Sequence, residues 1–319
     1  MDAEDLAQVS DSLRRAVQVD DIGDVRRVVE EFGWHELLEG HAQAAVATMF
    51  ALQGELLLPD TFLDDVLVAA SGFKLPEGVR VVLPHVGSLD PTSILEGSEV
   101  RLDGVVQAGS GEVLLVTCLR HDKITLATCE ASGPIDASGT IDPAAGWVSL
   151  KDSVAVGEVL AEGNDAALAW DEMSAAGRRA LAHELVAVGG EMLRLTLQHV
   201  TTREQFGRTL GSFQVVKHML ADVYLWQQVA ALSALAAWED GGAESAALAK
   251  AAACRFTRTA RQNCQQLLGG MGFTWEHSFH TYLRRALTLE PLLGGASVQH
   301  RVLGQALRTR TMPTGLAGL

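Results

Sequence analysis

Hydrophobic spacing divides the 319 residues into three regimes. Up to about residue 72 the apolar positions recur at helical intervals. Leu13, Val17, Val25, Val28 and Val29 share one face, and 41–58 is an Ala-rich amphipathic run. Pro59-Asp60-Thr61 then reads as a break followed by another helix start. From about Val79 the pattern shortens to β-prone runs at 79–84, 98–102, 113–117 and 124–128, with 152–160 a further candidate. Gly, Pro, Asp and Ser separate them. From 165 to 308 long helical periods return. The first, 166–202, is expected to break near Ser174–Gly177. The second, 211–238, carries Phe213, Val216, Leu220 and Val223 at helical spacing and stops at Asp240-Gly241-Gly242. A third, 243–268, closes at Gly269-Gly270, and shorter ones follow at 278–289 and, after Gly294-Gly295, at 297–307. The terminal MPTGLAGL is expected to fray.

The fold class predicted is mainly α with a small central β domain. An N-terminal helical segment (1–75) and a β segment (76–163) precede a C-terminal antiparallel helical bundle (164–319). Hydrophobic residues make up 48% and aromatics 5%, so the core must be built from Ala, Leu and Val. A net charge of −15 argues against binding nucleic acid or an anionic membrane surface non-specifically. No apolar run reaches the ~18 residues of a membrane span. The four cysteines contain no C-x-x-C pair, and Cys254 and Cys264 fall ten apart on one predicted helix, too far to bond. The N-terminus has neither a basic nor an apolar leader region, so a reduced, cytoplasmic setting is expected.

Two turns carry the candidate chemistry. In REQFGRTLGSFQVVKHMLAD, Arg203 ends a long helix and Phe206-Gly207 follow it. An arginine there offers a planar fork for a pyrophosphate, and the glycine lets a ligand approach backbone; alone, such an arginine can equally be a helix-dipole partner. In QLLGGMGFTWEHSFHTYLRR, Gln266 precedes Gly269, Gly270 and Gly272. These glycines follow a helix instead of linking a strand to one, which excludes a dinucleotide-binding βα turn, and no Gly-Lys-Ser/Thr is present for a phosphate loop. A helix C-cap is compatible with a binding role. His277 and His280 lack further ligands at metal spacing, so no metal site is expected.

In this order, each at the end of a long helix, the two turns resemble those of the flavin-dependent acyl-CoA dehydrogenases. The resemblance covers 165–308 by motif and 1–163 only by the order of domains. It implies that Arg203, Phe206, Gly207, Gln214, Gln266, Gly269 and Gly270 contact the ADP half of FAD held by a neighbouring subunit. It also implies that Arg178 lies beside an acyl-CoA thioester; Arg179 follows it, and one of the two can simply be a solvated charge.

The departures are as informative. The family's Thr-Glu-Pro-Gly-x-Gly-Ser-Asp loop and Lys-x-Trp-Ile strand, which hold the flavin ring, are missing. The chain reads PHVGSLDPTS at the first, and Trp147 lacks the context of the second. The proton-abstracting Glu occupies one of two places in the family, and here those places are Gly177 and Gly294. Glu172 and Glu290 are the nearby carboxylates that a different local path could bring in. No catalytic residue is therefore assigned.

The pattern is similar to the smaller subunit of heterotetrameric acyl-CoA dehydrogenases of bacterial steroid degradation, built from two larger (α) and two smaller (β) subunits. That implies a larger partner supplying the flavin contacts and the Glu, a bulky or steroid-derived acyl-CoA, and electron-transfer flavoprotein or an equivalent acceptor. A structural subunit that does not touch FAD, and a homomeric dehydrogenase using Glu290 or Glu172, remain open.

Overall fold

The computed structural model describes residues 11, 14–15, 25–31, 33–59, 62–109, 113–137 and 139–309. Leu13, Val17, Asp60, Thr61 and the terminal MPTGLAGL lie outside them. Three helices come first: α1 (Val25–Glu31), α2 (Trp34–Leu56) and α3 (Leu63–Ser71). On α1 the apolar face is Val25, Val28 and Val29, all buried. Helix α2 is kinked at His41 (φ −146°, ψ 45°).

Six strands follow: β1 (Arg80–Val82), β2 (Ser93–Glu96), β3 (Glu99–Gln107), β4 (Val113–Arg120), β5 (Lys123–Glu130) and β6 (Trp147–Glu162). β2 was not expected from its sequence, Ser-Ile-Leu-Glu; its pairing with β3 and β4 makes it a strand. Strand β5 pairs with both β6 and β4, so the sheet closes on itself. Period-2 alternation then sorts the side chains. Leu114, Val116 and Cys118 join Val100, Leu102 and Val154 inside the barrel, while Leu115 and Leu126 face the helical core.

Helix α4 (Asn164–Thr202) runs unbroken for 39 residues, against the expected break near Ser174–Gly177. Glycine in a helix costs about 1 kcal/mol relative to Ala. That cost is offset where the missing side chain lets Leu293 and Leu67 pack against the helix at Gly177. After a short hairpin, β7 (Glu204–Gln205) and β8 (Arg208–Thr209), come α5 (Gln214–Asp240), α6 (Ala243–Leu268), α7 (Phe279–Leu289) and α8 (Ala296–Thr309). Helix α4 is the central element, packed on α2, α3, α5, α6 and α7. No helix among the described residues is long and apolar enough to cross a membrane.

One buried cation joins these parts. Arg285 on α7 donates through Nε to Asp142 (2.6 Å) in the loop before β6, and through Nη1 to Glu184 (3.1 Å) on α4. Its Nη2 donates to the carbonyls of Leu57 and Leu58 at the end of α2. Burial pushes the Glu184 carboxyl above its ordinary range, and the Arg285 charge pulls it back. Arg285→Met leaves two carboxylates without their counter-ion. Removing one partner of a buried pair costs about 3–5 kcal/mol, so the urea midpoint should fall by that equivalent; an unchanged midpoint would mean water replaces the guanidinium.

Candidate functional site

The first turn is built by the end of α4. The Arg203 N–H donates to the His199 carbonyl at 2.9 Å, and the Arg203 carbonyl accepts the Leu210 N–H at 2.8 Å. Strands β7 and β8 pair Gln205 with Arg208 across two residues, Phe206 (φ 54°) and Gly207 (φ 76°). Two successive positive φ values make the tight hairpin turn that glycine favours at its second position. Phe206 is thrust outward, 91% exposed, with only its edge against the Phe213 ring, 6.3 Å away. The Arg208 guanidinium covers the Phe213 face at 3.9 Å. Arg203 and Gln214 are exposed on the same rim.

The second turn is built by the end of α6. Gly269 (φ 58°, ψ −137°) takes a conformation that side-chain-bearing residues avoid, and residues 269–273 form a 3-10 turn. A Cβ on Gly269 or Gly270 would meet no heavy atom within 4 Å. Gln266 beside them is exposed. Gln265, one residue earlier, is different. Its side-chain amide has no partner at either end and lies where a Cβ on Gly272 would approach Nε2 to 2.6 Å. Phe273 and Trp275 are exposed, and Trp275 stacks edge-on with His280 under the Arg284 guanidinium. His277 Nδ1 accepts the Phe279 N–H at 3.1 Å, which caps α7.

The two turns face one region of surface. Burial, then the nearby charges of His277 and Arg203, holds His199 below its ordinary pKa, and these three residues come from both turns. Arg203, Gln214 and Gln266 make no side-chain hydrogen bond or ion pair with any described residue. A guanidinium, two amides and open backbone at three glycines form a donor set suited to an anionic dinucleotide lying across the rim.

The inner cleft is another matter. Arg178 and Arg179 are both buried, which removes the reading of either as a solvated charge. Arg179 Nη1 donates to the Gly241 carbonyl at the end of α5 (3.1 Å), and its guanidinium lies 4.9 Å over Trp238. Arg178 has an unpartnered Nε. Burial lowers its pKa to about 10, and Asp171 partly offsets this.

Gly177 and Gly294 come together through Leu293. A Cβ on Gly177 would overlap Leu293 Cδ1 and approach Leu67 Cδ2 to 2.9 Å, and Gly294 (φ 86°) holds Leu89 against its other side. Leu63, Leu67, Leu292 and Leu293 are all buried here. The PHVGSLDPTS segment closes the mouth: Gly87 N–H donates to the Pro291 carbonyl (2.9 Å) and Trp170 Nε1 to the Leu89 carbonyl (3.2 Å). Glu172 is exposed. Glu290 is held by Thr257 Oγ1 (2.7 Å) and Arg261 (3.3 Å) on α6. Sequence reasoning missed Leu293, Leu89 and Gln265. The signal it had for the first was the Leu292-Leu293 pair between Pro291 and Gly294.

Residues 171–308 match the acyl-CoA dehydrogenase C-terminal domain. The chain as a whole has the acyl-CoA dehydrogenase fold. Its structure aligns with a variant of the Tcur3481–Tcur3483 steroid ACAD at TM-score 0.75 and 23% identity, over 97% of this chain and 99% of that one. The ChsE4–ChsE5 complex from Mycobacterium tuberculosis aligns at TM-score 0.72 and 22% identity, over 98% and 99%. Among curated relatives, the acyl-CoA dehydrogenase IpdE2 of Mycobacterium tuberculosis is 39% identical over 106 residues. That stretch is 33% of this chain and 33% of the relative.

Gly177→Glu tests the filled cleft. A glutamate there must displace Leu293 and Leu67, and overpacking alone costs about 1–3 kcal/mol. The melting temperature should fall measurably. A variant as stable as the parent would mean that the cleft has room for a carboxylate.

Proposed function

We propose that this chain is a subunit of an FAD-dependent acyl-CoA dehydrogenase, lending its rim to FAD bound mainly by a larger partner chain. The observation that carries this reading is a contrast within one molecule. The donors of the rim are exposed and unpaired among the described residues, while the cleft where an acyl thioester would lie is packed with leucine. Bound FAD would supply the hydride acceptor that α,β-dehydrogenation of an acyl-CoA needs. Arg203 would hold the pyrophosphate, Gln214 and Gln266 would bond the ADP half with the backbone at Gly207, Gly269 and Gly270, and Phe206 would lie against it. The partner supplies the flavin-ring contacts and the catalytic Glu, since Gly177 and Gly294 offer no acid–base group. Glu290 is already engaged by Thr257 and Arg261, so its carboxylate is turned to α6. The curated relative's name supports an acyl-CoA as substrate, and the name of the aligned steroid ACAD supports a bulky, steroid-like one. Electron-transfer flavoprotein or an equivalent acceptor would then reoxidise the flavin.

Co-expression with the partner should give a yellow complex with fewer flavins than chains, whereas the lone chain should be colourless. In that complex Arg203→Ala should lower FAD retention with little change in melting temperature. A charge-assisted contact is worth about 1.5–3 kcal/mol. Lost stability with flavin unaffected would assign the chain a structural role instead.

The base is tested separately. Glu290→Gln and Glu172→Gln should each leave turnover within a few-fold of the parent, because losing a true general base costs about 10²–10⁴ in rate. Abolished turnover at normal flavin content would place the base in this chain.

A further inference from the structure

Arg178 carries a charge that no described residue around it answers. It is 6% exposed, and its guanidinium makes no hydrogen bond or ion pair with any described residue. Burial lowers its pKa to about 10, which still leaves it protonated at neutral pH. Asp171, two turns earlier on α4, is exposed and acts on it only at a distance. Adjacent Arg179 is satisfied by contrast, with the Gly241 carbonyl at one nitrogen and the Trp238 ring under its plane. One turn before Arg178 the same deficit recurs. Ser174 is 2% exposed, and its hydroxyl has no partner. Other buried helical hydroxyls of the chain return to a carbonyl four residues back, Thr196 to Met192 and Thr257 to Ala253, and Ser174 does not. A buried cation and a buried hydroxyl left unmet are both costly. Trp170, Ser174 and Arg178 stand at steps of four along one side of α4, and Trp170 ties down the 85–91 loop at the Leu89 carbonyl. The two orphan donors therefore lie beside the closed apolar cleft, next to the Gly177 position where Leu293 and Leu67 pack.

We propose that Ser174 and Arg178 form a binding site for one small carboxylate, of the formate or acetate kind. The guanidinium presents paired N–H donors that match the two oxygens of a carboxylate. The Ser174 hydroxyl, one helical turn away on the same side, adds a further donor to the same ligand. A single negative charge balances the single positive one. A thioester carbonyl is neutral and would leave the cation unbalanced. Chloride offers one point where the fork offers two, and phosphate brings a second charge for which no second cation is free, because Arg179 is committed to the end of α5. Leucine packing at the neighbouring Gly177 limits the ligand to a short acid. The site is separate from the glycine-turn rim and needs no flavin.

Replacing sodium chloride by sodium acetate at constant ionic strength tests this on the full chain. The melting temperature should rise by about 2–4 °C once acetate exceeds its dissociation constant several-fold. Arg178→Met keeps the length of the side chain and removes its charge. This variant should lose the acetate gain while melting no lower than the parent in chloride, because it removes a buried cation that nothing balances. Ser174→Ala should weaken acetate binding about tenfold, the share of one hydrogen bond to a charged ligand. Line broadening of carbon-13 acetate reads the same binding directly, so a variant that melts early still gives an answer. A melting temperature and a line width both indifferent to acetate would overturn the proposal. So would an acetate gain that survives in Arg178→Met, which would put the ligand elsewhere. An equal gain from phosphate would remove the preference for a carboxylate, and a loss of stability by Arg178→Met in chloride would show that the fold itself supplies the partner. None of these readouts measures flavin, so the outcome is independent of the shared-FAD reading.

Discussion

The guanidinium of Arg285 is the interaction on which the arrangement depends. It is 1% exposed and meets Asp142 from the barrel, Glu184 from α4 and two carbonyls at the end of α2. A charge in that position is tolerable only while all its partners are present, because the interior offers no water to replace them. Barrel, N-terminal helices and bundle are thereby fixed in one relation, and α7 cannot shift without exposing an unpaired ion. The loop that leaves α7 inherits this rigidity. Buried Lys250 on α6 donates to the carbonyls of Leu289 and Glu290 (3.3 and 2.8 Å), and Thr257 and Arg261 hold the Glu290 side chain. The following turn therefore delivers Leu293 to a set place against α4.

That place is Gly177, and the fit depends on the missing side chain. Two features that look like separate losses in the sequence, glycine at each carboxylate position, become one device in three dimensions. Gly177 makes the room, Gly294 makes the left-handed turn, and Leu293 before it fills the space beside α4. The loop at 85–91 then packs onto the result through Leu89. Hydrophobic packing closes the cleft at Gly177, and Gln299 Nε2 fixes the turn by donating to the Leu293 and Gly294 carbonyls.

The outer surface shows the opposite economy. The hairpin turns outward at Phe206-Gly207, the 3-10 turn exposes Gly269 and Gly270, and the side-chain donors between them have no partner among the described residues. The molecule carries these donors where other molecules can reach them.

Much of this was legible in the residues themselves, because it depends on neighbours close in sequence. Helical periods, the β-prone runs, the glycine ends at Gly241 and Gly269 and the lack of a carboxylate at 177 or 294 are local facts. What the sequence could not decide were outcomes of contacts between distant residues. Glycine at 177 predicts a weak point in α4, yet the helix is continuous because Leu293, more than a hundred residues away, packs there. Ser-Ile-Leu-Glu carries too little pattern to be a strand and becomes one by pairing with β3 and β4. Arg178 and Arg179 are indistinguishable as adjacent letters. Only the fold gives Arg179 the Gly241 carbonyl and leaves Arg178 without an equivalent, since successive helical residues point about 100° apart and meet different neighbours.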